Sequence, residues 1–121
     1  MGTTKIGKAF RFEAAHRLLD FPEDHKCHRM HGHSYKVLVV LKGEVSNNGT
    51  LTDFANIARE WQTRCFSKLD HQYLNNVMNL RNTTAELISM WIYDQLSPMF
   101  SLDKVVVWET ENAYAEYSLA E

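Results

Sequence analysis

The sequence predicts an α+β domain with element order ββααββ, in which two helices cover one face of a four-stranded, mainly antiparallel sheet. Three patterns carry this expectation. Apolar side chains alternate with polar ones near the N-terminus, two central segments repeat them at helical spacing, and the last two extended runs stand a hairpin turn apart. With 121 residues, 45% of them hydrophobic and 23% charged, the chain suits one domain over residues 1–121 with one core.

The elements follow in order. Phe10, Phe12, Ala14 and His16 alternate with Arg11, Glu13 and Ala15, so His16 ends a first strand on its apolar face. A polar loop, LLDFPEDHKCHRM, leads to HGHSYKVLVVLKGEV, a second strand rich in β-branched residues that can pair with the first. After the turn signal SNNGT, Asp53 is placed to cap a helix carrying Phe54, Ile57, Ala58, Trp61 and Cys65 on its apolar side. Thr83 and Glu86 fit a capping box for a second helix with Ile88, Trp91, Ile92 and Leu96, closed by Pro98. KVVVWET and AYAEYSL then form a hairpin around the turn EN. In KVLVVL and KVVVW successive residues are apolar, so both sheet faces need cover while the helices supply it on one. Another copy of the chain is the economical cover, which predicts a symmetric homo-oligomer.

A net charge of -2 argues against a nucleic-acid partner. The first residues lack the apolar run of a signal peptide and no segment is long enough to span a bilayer, so a cytoplasmic protein with no membrane partner is expected. Cys27 and Cys65 are then expected as free thiols.

The chemistry concentrates in CHRMHGHSYKVLVV. His31 and His33, two apart on a strand, project from one face, and pairing of the two strands brings His16 beside them. Three imidazoles with an open fourth position are the ligand set of a catalytic zinc site. The competing reading makes His31 and His33 half-exposed edge residues and His16 a hydrogen-bonded core histidine. Cys27 can be a fourth ligand, a reactive thiol or an inert one; its neighbours Lys26, His28 and Arg29 favour the reactive thiol. His25 and His28 are expected to be solvated loop residues. Asp70 can orient the imidazole of His71 and raise its basicity, although a plain helix-end pair explains the same dipeptide.

Taken in order, FEAAH, C-x3-H-G-H (Cys27, His31, Gly32, His33), LDH (residues 69–71), TTAE (residues 83–86) and ET (Glu109, Thr110) resemble the motifs of the 6-pyruvoyltetrahydropterin synthase family across essentially the whole chain. The short gap between Cys27 and His31 is similar to that of its bacterial branch, the 6-carboxytetrahydropterin synthases of the queuosine pathway. The resemblance implies a tunnelling fold, whose ββααββ subunits build trimeric barrels that stack into hexamers. It also implies zinc on His16, His31 and His33, Cys27 as the catalytic thiol, and Asp70 and His71 as its partners from the neighbouring subunit. Glu109 would anchor the pterin, with Thr84 helping to hold the ring. The implied reaction is that of a carbon-oxygen and carbon-carbon lyase: 7,8-dihydroneopterin triphosphate to 6-carboxytetrahydropterin, acetaldehyde and triphosphate. Two alternatives stand beside it: the same scaffold making pyruvoyltetrahydropterin, and a non-catalytic zinc-binding assembly protein in which Cys27 completes the metal shell.

Overall fold

A computed structural model describes residues 2–120. Strand β1 (Thr4–His16) pairs antiparallel with β2 (His31–Gly43) along its whole length, from Thr4 opposite Gly43 to His16 opposite His31. β1 therefore starts six residues before Phe10, because every residue from Thr4 onward finds a ladder partner on the long β2. β2 continues to β4 (Leu102–Thr110), which turns at Glu111 and Asn112 into β5 (Ala113–Tyr117). The expected antiparallel ladder is present.

The sheet nonetheless has five strands and is mixed. β3 (Gln72–Tyr73) runs parallel to β1 at Ala14 and Ala15, giving the order β3-β1-β2-β4-β5. Two residues are too few to show a period, so nothing in the local pattern marks this strand. Beyond Ala14 and Ala15 the outer edge of β1 has no strand partner among the described residues, and neither has the outer edge of β5.

Asp53 caps α1 (Phe54–Trp61), its carboxylate accepting from the Ala55 N–H at 2.9 Å. The helix widens into a π turn over Gln62–Phe66 and ends in the single turn α2 (Ser67–Leu69). Ile57, Trp61, Cys65 and Leu69, all buried, are four apart; in a regular α-helix such a row drifts by about 40° per step, and the π turn takes up the drift. Phe54 lies in the first turn, before this buried row, and is exposed instead of packed. A short helix α3 (Leu74–Met78) follows, ended by Asn79 in the left-handed region. The last helix, α4, runs over Ala85–Leu96. Its cap is Thr84, whose hydroxyl accepts from the Leu87 N–H at 3.2 Å. The expected Thr83–Glu86 box does not form, because Thr83 is fully buried with its hydroxyl donated to Asn75.

Phe12, Tyr35, Val37, Val39, Val105 and Val107 form the core face of the sheet against α1 and α4. Ile92 is fully buried there, so Ile92→Ala is expected to cost about 2–5 kcal/mol, read as a lower urea midpoint at unchanged slope. The register places Arg11, Lys36, Trp108 and Tyr114 together on the opposite face, where the Lys36 Nζ lies 5.1 Å from the centre of the Trp108 ring. No helix of the described residues is long and apolar enough to cross a membrane.

Candidate active site

The β1–β2 register sets His16 opposite His31 and Ala14 opposite His33 at one end of the hairpin. His16 is fully buried and the other two are half-buried. Their ring centres lie 4.4 to 5.0 Å apart, and one nitrogen from each falls within 4.8 Å of the others. Backbone carbonyls orient two of the rings: Nδ1 of His16 meets the Thr83 carbonyl and Nδ1 of His31 the Arg29 carbonyl, each at 2.7 Å. A ring that donates through Nδ1 turns a bare Nε2 toward the cluster, the arrangement that supports metal-binding histidines.

Two observations show that these residues fit a metal. The Nε2 atoms of His16 and His33 are buried without any hydrogen-bond partner among the described residues, which is costly unless something else satisfies them. Burial also holds the pKa of both rings below the usual imidazole value, for His16 against the opposing pull of the Thr83 carbonyl and for His33 against that of Glu109. Neutral imidazole is the ligating form. Glu109 brings Oε1 to 3.6 Å from His16 Nε2 and 3.8 Å from His33 Nε2, too far to hydrogen-bond but close enough to add negative potential.

The cluster forms one wall of a cavity of about 490 Å³ that also presents Cys27, Lys26, Arg29 and Glu109. Cys27 sits in a single 3-10 turn, Lys26–His28, half-buried and free. Its N–H donates to Nδ1 of His25 at 3.0 Å and its carbonyl accepts from the Leu18 N–H at 2.8 Å. Nδ1 of His28 meets the Phe21 carbonyl at 3.0 Å. His25 and His28 are thus anchors of the loop, and the expectation that they are merely solvated is corrected: in a segment without a ladder, backbone groups need side-chain partners. The other cysteine, Cys65, is buried in the core, and burial pushes its thiol up to about 12.

Asp70 and His71 form a hydrogen-bonded pair elsewhere. His71 holds a left-handed φ of 58°, a strained conformation for a residue with a side chain. Its N–H donates to the Glu13 carbonyl, and Asp70 Oδ1 accepts from the Glu13 N–H at 3.0 Å. Asp70 Oδ2 lies 2.7 Å from His71 Nδ1. The Glu13 N–H first, and His71 second, hold the Asp70 carboxyl below the usual carboxylate range. The imidazole, 76% exposed, lines a second cavity of about 520 Å³ together with Glu13, Gly32, His33 and Tyr73. Within one chain, then, His71 and Cys27 line different cavities that share His33. Thr84 caps α4 and does not line the Cys27 cavity. The Thr83 and Arg29 carbonyls escape sequence reasoning because a backbone acceptor has no residue signature.

Comparison with known proteins decides the family. A model of the 6-pyruvoyl tetrahydropterin synthase family matches residues 5–120. The chain belongs to this family. A 6-carboxy-5,6,7,8-tetrahydropterin synthase from Synechocystis sp. is 36% identical over 119 residues, covering 93% of this chain and 91% of the relative. A 6-pyruvoyl tetrahydrobiopterin synthase from Dictyostelium discoideum is 34% identical, covering 88% and 89%. Among solved structures, the 6-pyruvoyl tetrahydropterin synthase of Caenorhabditis elegans superposes with a TM-score of 0.88 at 25% identity, covering 99% of this chain and 98% of that one. As a 6-pyruvoyl tetrahydropterin synthase family member, the chain has the tunnelling fold, an α+β architecture built here on a mixed five-stranded sheet.

Proposed function

We propose that this chain is a zinc-dependent 6-carboxytetrahydropterin synthase that converts 7,8-dihydroneopterin triphosphate and one water to 6-carboxytetrahydropterin, acetaldehyde and triphosphate, a step of queuosine (preQ0) biosynthesis. The observation that carries the reading is the convergence of His16, His31 and His33 on the wall of a cavity that also presents Cys27 and Glu109. The name of the Synechocystis relative and the short Cys27–His31 gap support the carboxy product.

His16, His31 and His33 would hold the ion, and zinc bound there supplies Lewis acidity to the hydroxyl-bearing side chain of the substrate. Cys27, which lines the same cavity, takes up and returns the proton of the adjoining carbon. Glu109 accepts two hydrogen bonds from the amino and ring N–H groups of the pterin, the fork that a carboxylate matches best. Asp70 orients His71 as a second proton-transfer group, delivered to the cavity of a neighbouring subunit. The unpartnered edges of β1 and β5 support such an assembly, since joining them closes a sheet into a barrel and removes both edges, as a trimer or stacked hexamer.

Incubation of the zinc-loaded protein with 7,8-dihydroneopterin triphosphate, with products identified by mass spectrometry, tests the reading. Acetaldehyde and the carboxypterin are expected. The likeness to the D. discoideum and C. elegans enzymes favours a second reading, synthesis of the pyruvoyl product, which would release triphosphate without acetaldehyde. Stoichiometric zinc without turnover would favour a non-catalytic assembly protein. His31→Ala is expected to reduce bound zinc well below one per chain, because an open site has no spare protein ligand. Full occupancy by metal analysis in that variant would remove His31 from the site.

A further inference from the structure

The end of β1 is held by a side chain that none of the motifs includes. Asn75, in α3, is 7% exposed and spends its full hydrogen-bonding capacity at one junction. Its Oδ1 accepts from the Arg17 N–H at 2.9 Å and from the Thr83 hydroxyl at 3.0 Å. Its Nδ2 donates to the carbonyls of Arg17 and Arg81, both at 2.9 Å. Arg17 directly follows His16, and Thr83 supplies the carbonyl that meets His16 Nδ1. The carboxamide therefore ties the backbone of His16 to the group that sets the orientation of its ring. The tie reaches the thiol as well, since the Leu18 N–H donates to the Cys27 carbonyl and Arg17 Nε to the His28 carbonyl, each at 2.8 Å.

We propose that Asn75 is a positioning residue for the metal centre: through Thr83 it fixes the ring orientation and tautomer of His16, and through Arg17 it steadies the loop that carries Cys27. The inference rests on the reading that His16, His31 and His33 hold zinc. A purely structural role would explain the four hydrogen bonds equally, because carbonyls and an N–H at a junction outside regular ladders need partners. The two roles differ in what they do to the metal. Loss of a group that orients a ligand from outside the coordination shell weakens metal binding, whereas general destabilisation leaves the affinity of the folded site unchanged.

The experiment measures Zn²⁺ affinity by competition with a chromogenic chelator, and the visible absorption spectrum of the Co²⁺-loaded protein. Asn75→Asp keeps the shape and the acceptor oxygen but removes both donors and sets a charge against two carbonyls. It is expected to weaken Zn²⁺ binding about tenfold to a hundredfold and to change the Co²⁺ spectrum. Thr83→Val keeps volume and carbonyl but loses the hydroxyl, for an expected loss of about threefold to tenfold, and Thr83→Ser should restore wild-type affinity. Ile92→Val, a core change away from the site, should lower stability and leave Zn²⁺ affinity as it was. A folded Asn75→Asp protein with wild-type affinity and spectrum would overturn the proposal. If that variant fails to fold, equal affinities of Thr83→Val and Thr83→Ser overturn it. A wild-type protein that takes up no Zn²⁺ defeats the metal site itself, an outcome distinct from a wild type and an Asn75→Asp variant that bind equally.

Discussion

Cys27→Ala is expected to lower kcat by about a hundredfold to ten-thousandfold, the usual worth of a general base, while zinc content and assembly stay those of the wild type. The loop that carries Cys27 is held by its backbone: the N–H on His25, the carbonyl on Leu18, and the neighbouring His28 on Phe21 and Arg17. The thiol itself makes no hydrogen bond among the described residues, so truncation removes the reactive group and leaves the turn intact. An equal fall in kcat and kcat/KM would mark an interaction made in the transition state, as a proton acceptor requires. Metal analysis of the same preparation separates the roles of Cys27. If zinc leaves with the thiol, the cysteine is a fourth ligand and the site is a closed structural one.

What the sequence made legible follows from the range of each signal. The strand carrying Phe10, Phe12, Ala14 and His16 could be read because burial on one face imposes a period of two, and the antiparallel pairing that brings His16 to His31 then follows from hairpin geometry. That pairing is why three histidines spread over 18 positions gather into one site on the evidence of the sequence. β3 could not be read, since it exists only because the strained His71 backbone is tied to Glu13, a contact 58 residues away in the chain. The cap of α4 moved from Thr83 to Thr84 for a related reason. Local propensity treats two adjacent threonines alike, and what separates them is that Thr83 is drawn inward by Asn75 and by His16. The support of the site, namely Asn75 and the carbonyls of Thr83 and Arg29, is long-range or backbone-made, and neither kind leaves a motif. The open face of the sheet was visible from KVLVVL and KVVVW, but part of it is polar: Arg11 and Lys36 face Trp108 and Tyr114 there. Composition shows that a face lacks cover, while its charges decide what can lie against it.

Mixing two inactive variants is expected to recover activity. Cys27→Ala and His71→Ala should each abolish turnover alone, because each removes one partner from every site. After unfolding together and refolding, chains mix around a cyclic assembly, and a site works when its cysteine comes from a His71→Ala chain and its histidine from a Cys27→Ala neighbour. Random equal mixing therefore restores about a quarter of wild-type turnover. The arrangement of one chain supports this expectation. Cys27 and His71 line different cavities that share His33, the imidazole of His71 stands mostly in solvent with Asp70 on its Nδ1, and its left-handed backbone donates its N–H to the Glu13 carbonyl. Strain retained at an exposed histidine is explained if the ring serves a partner across the unpaired sheet edges. The measurement is turnover of 7,8-dihydroneopterin triphosphate after co-refolding, with native mass spectrometry confirming mixed oligomers. If the site lay within one chain, every site in the mixture would still carry a defect. Confirmed mixing with no recovered turnover would confine catalysis to a single subunit and return Asp70 and His71 to the role of a helix-end pair.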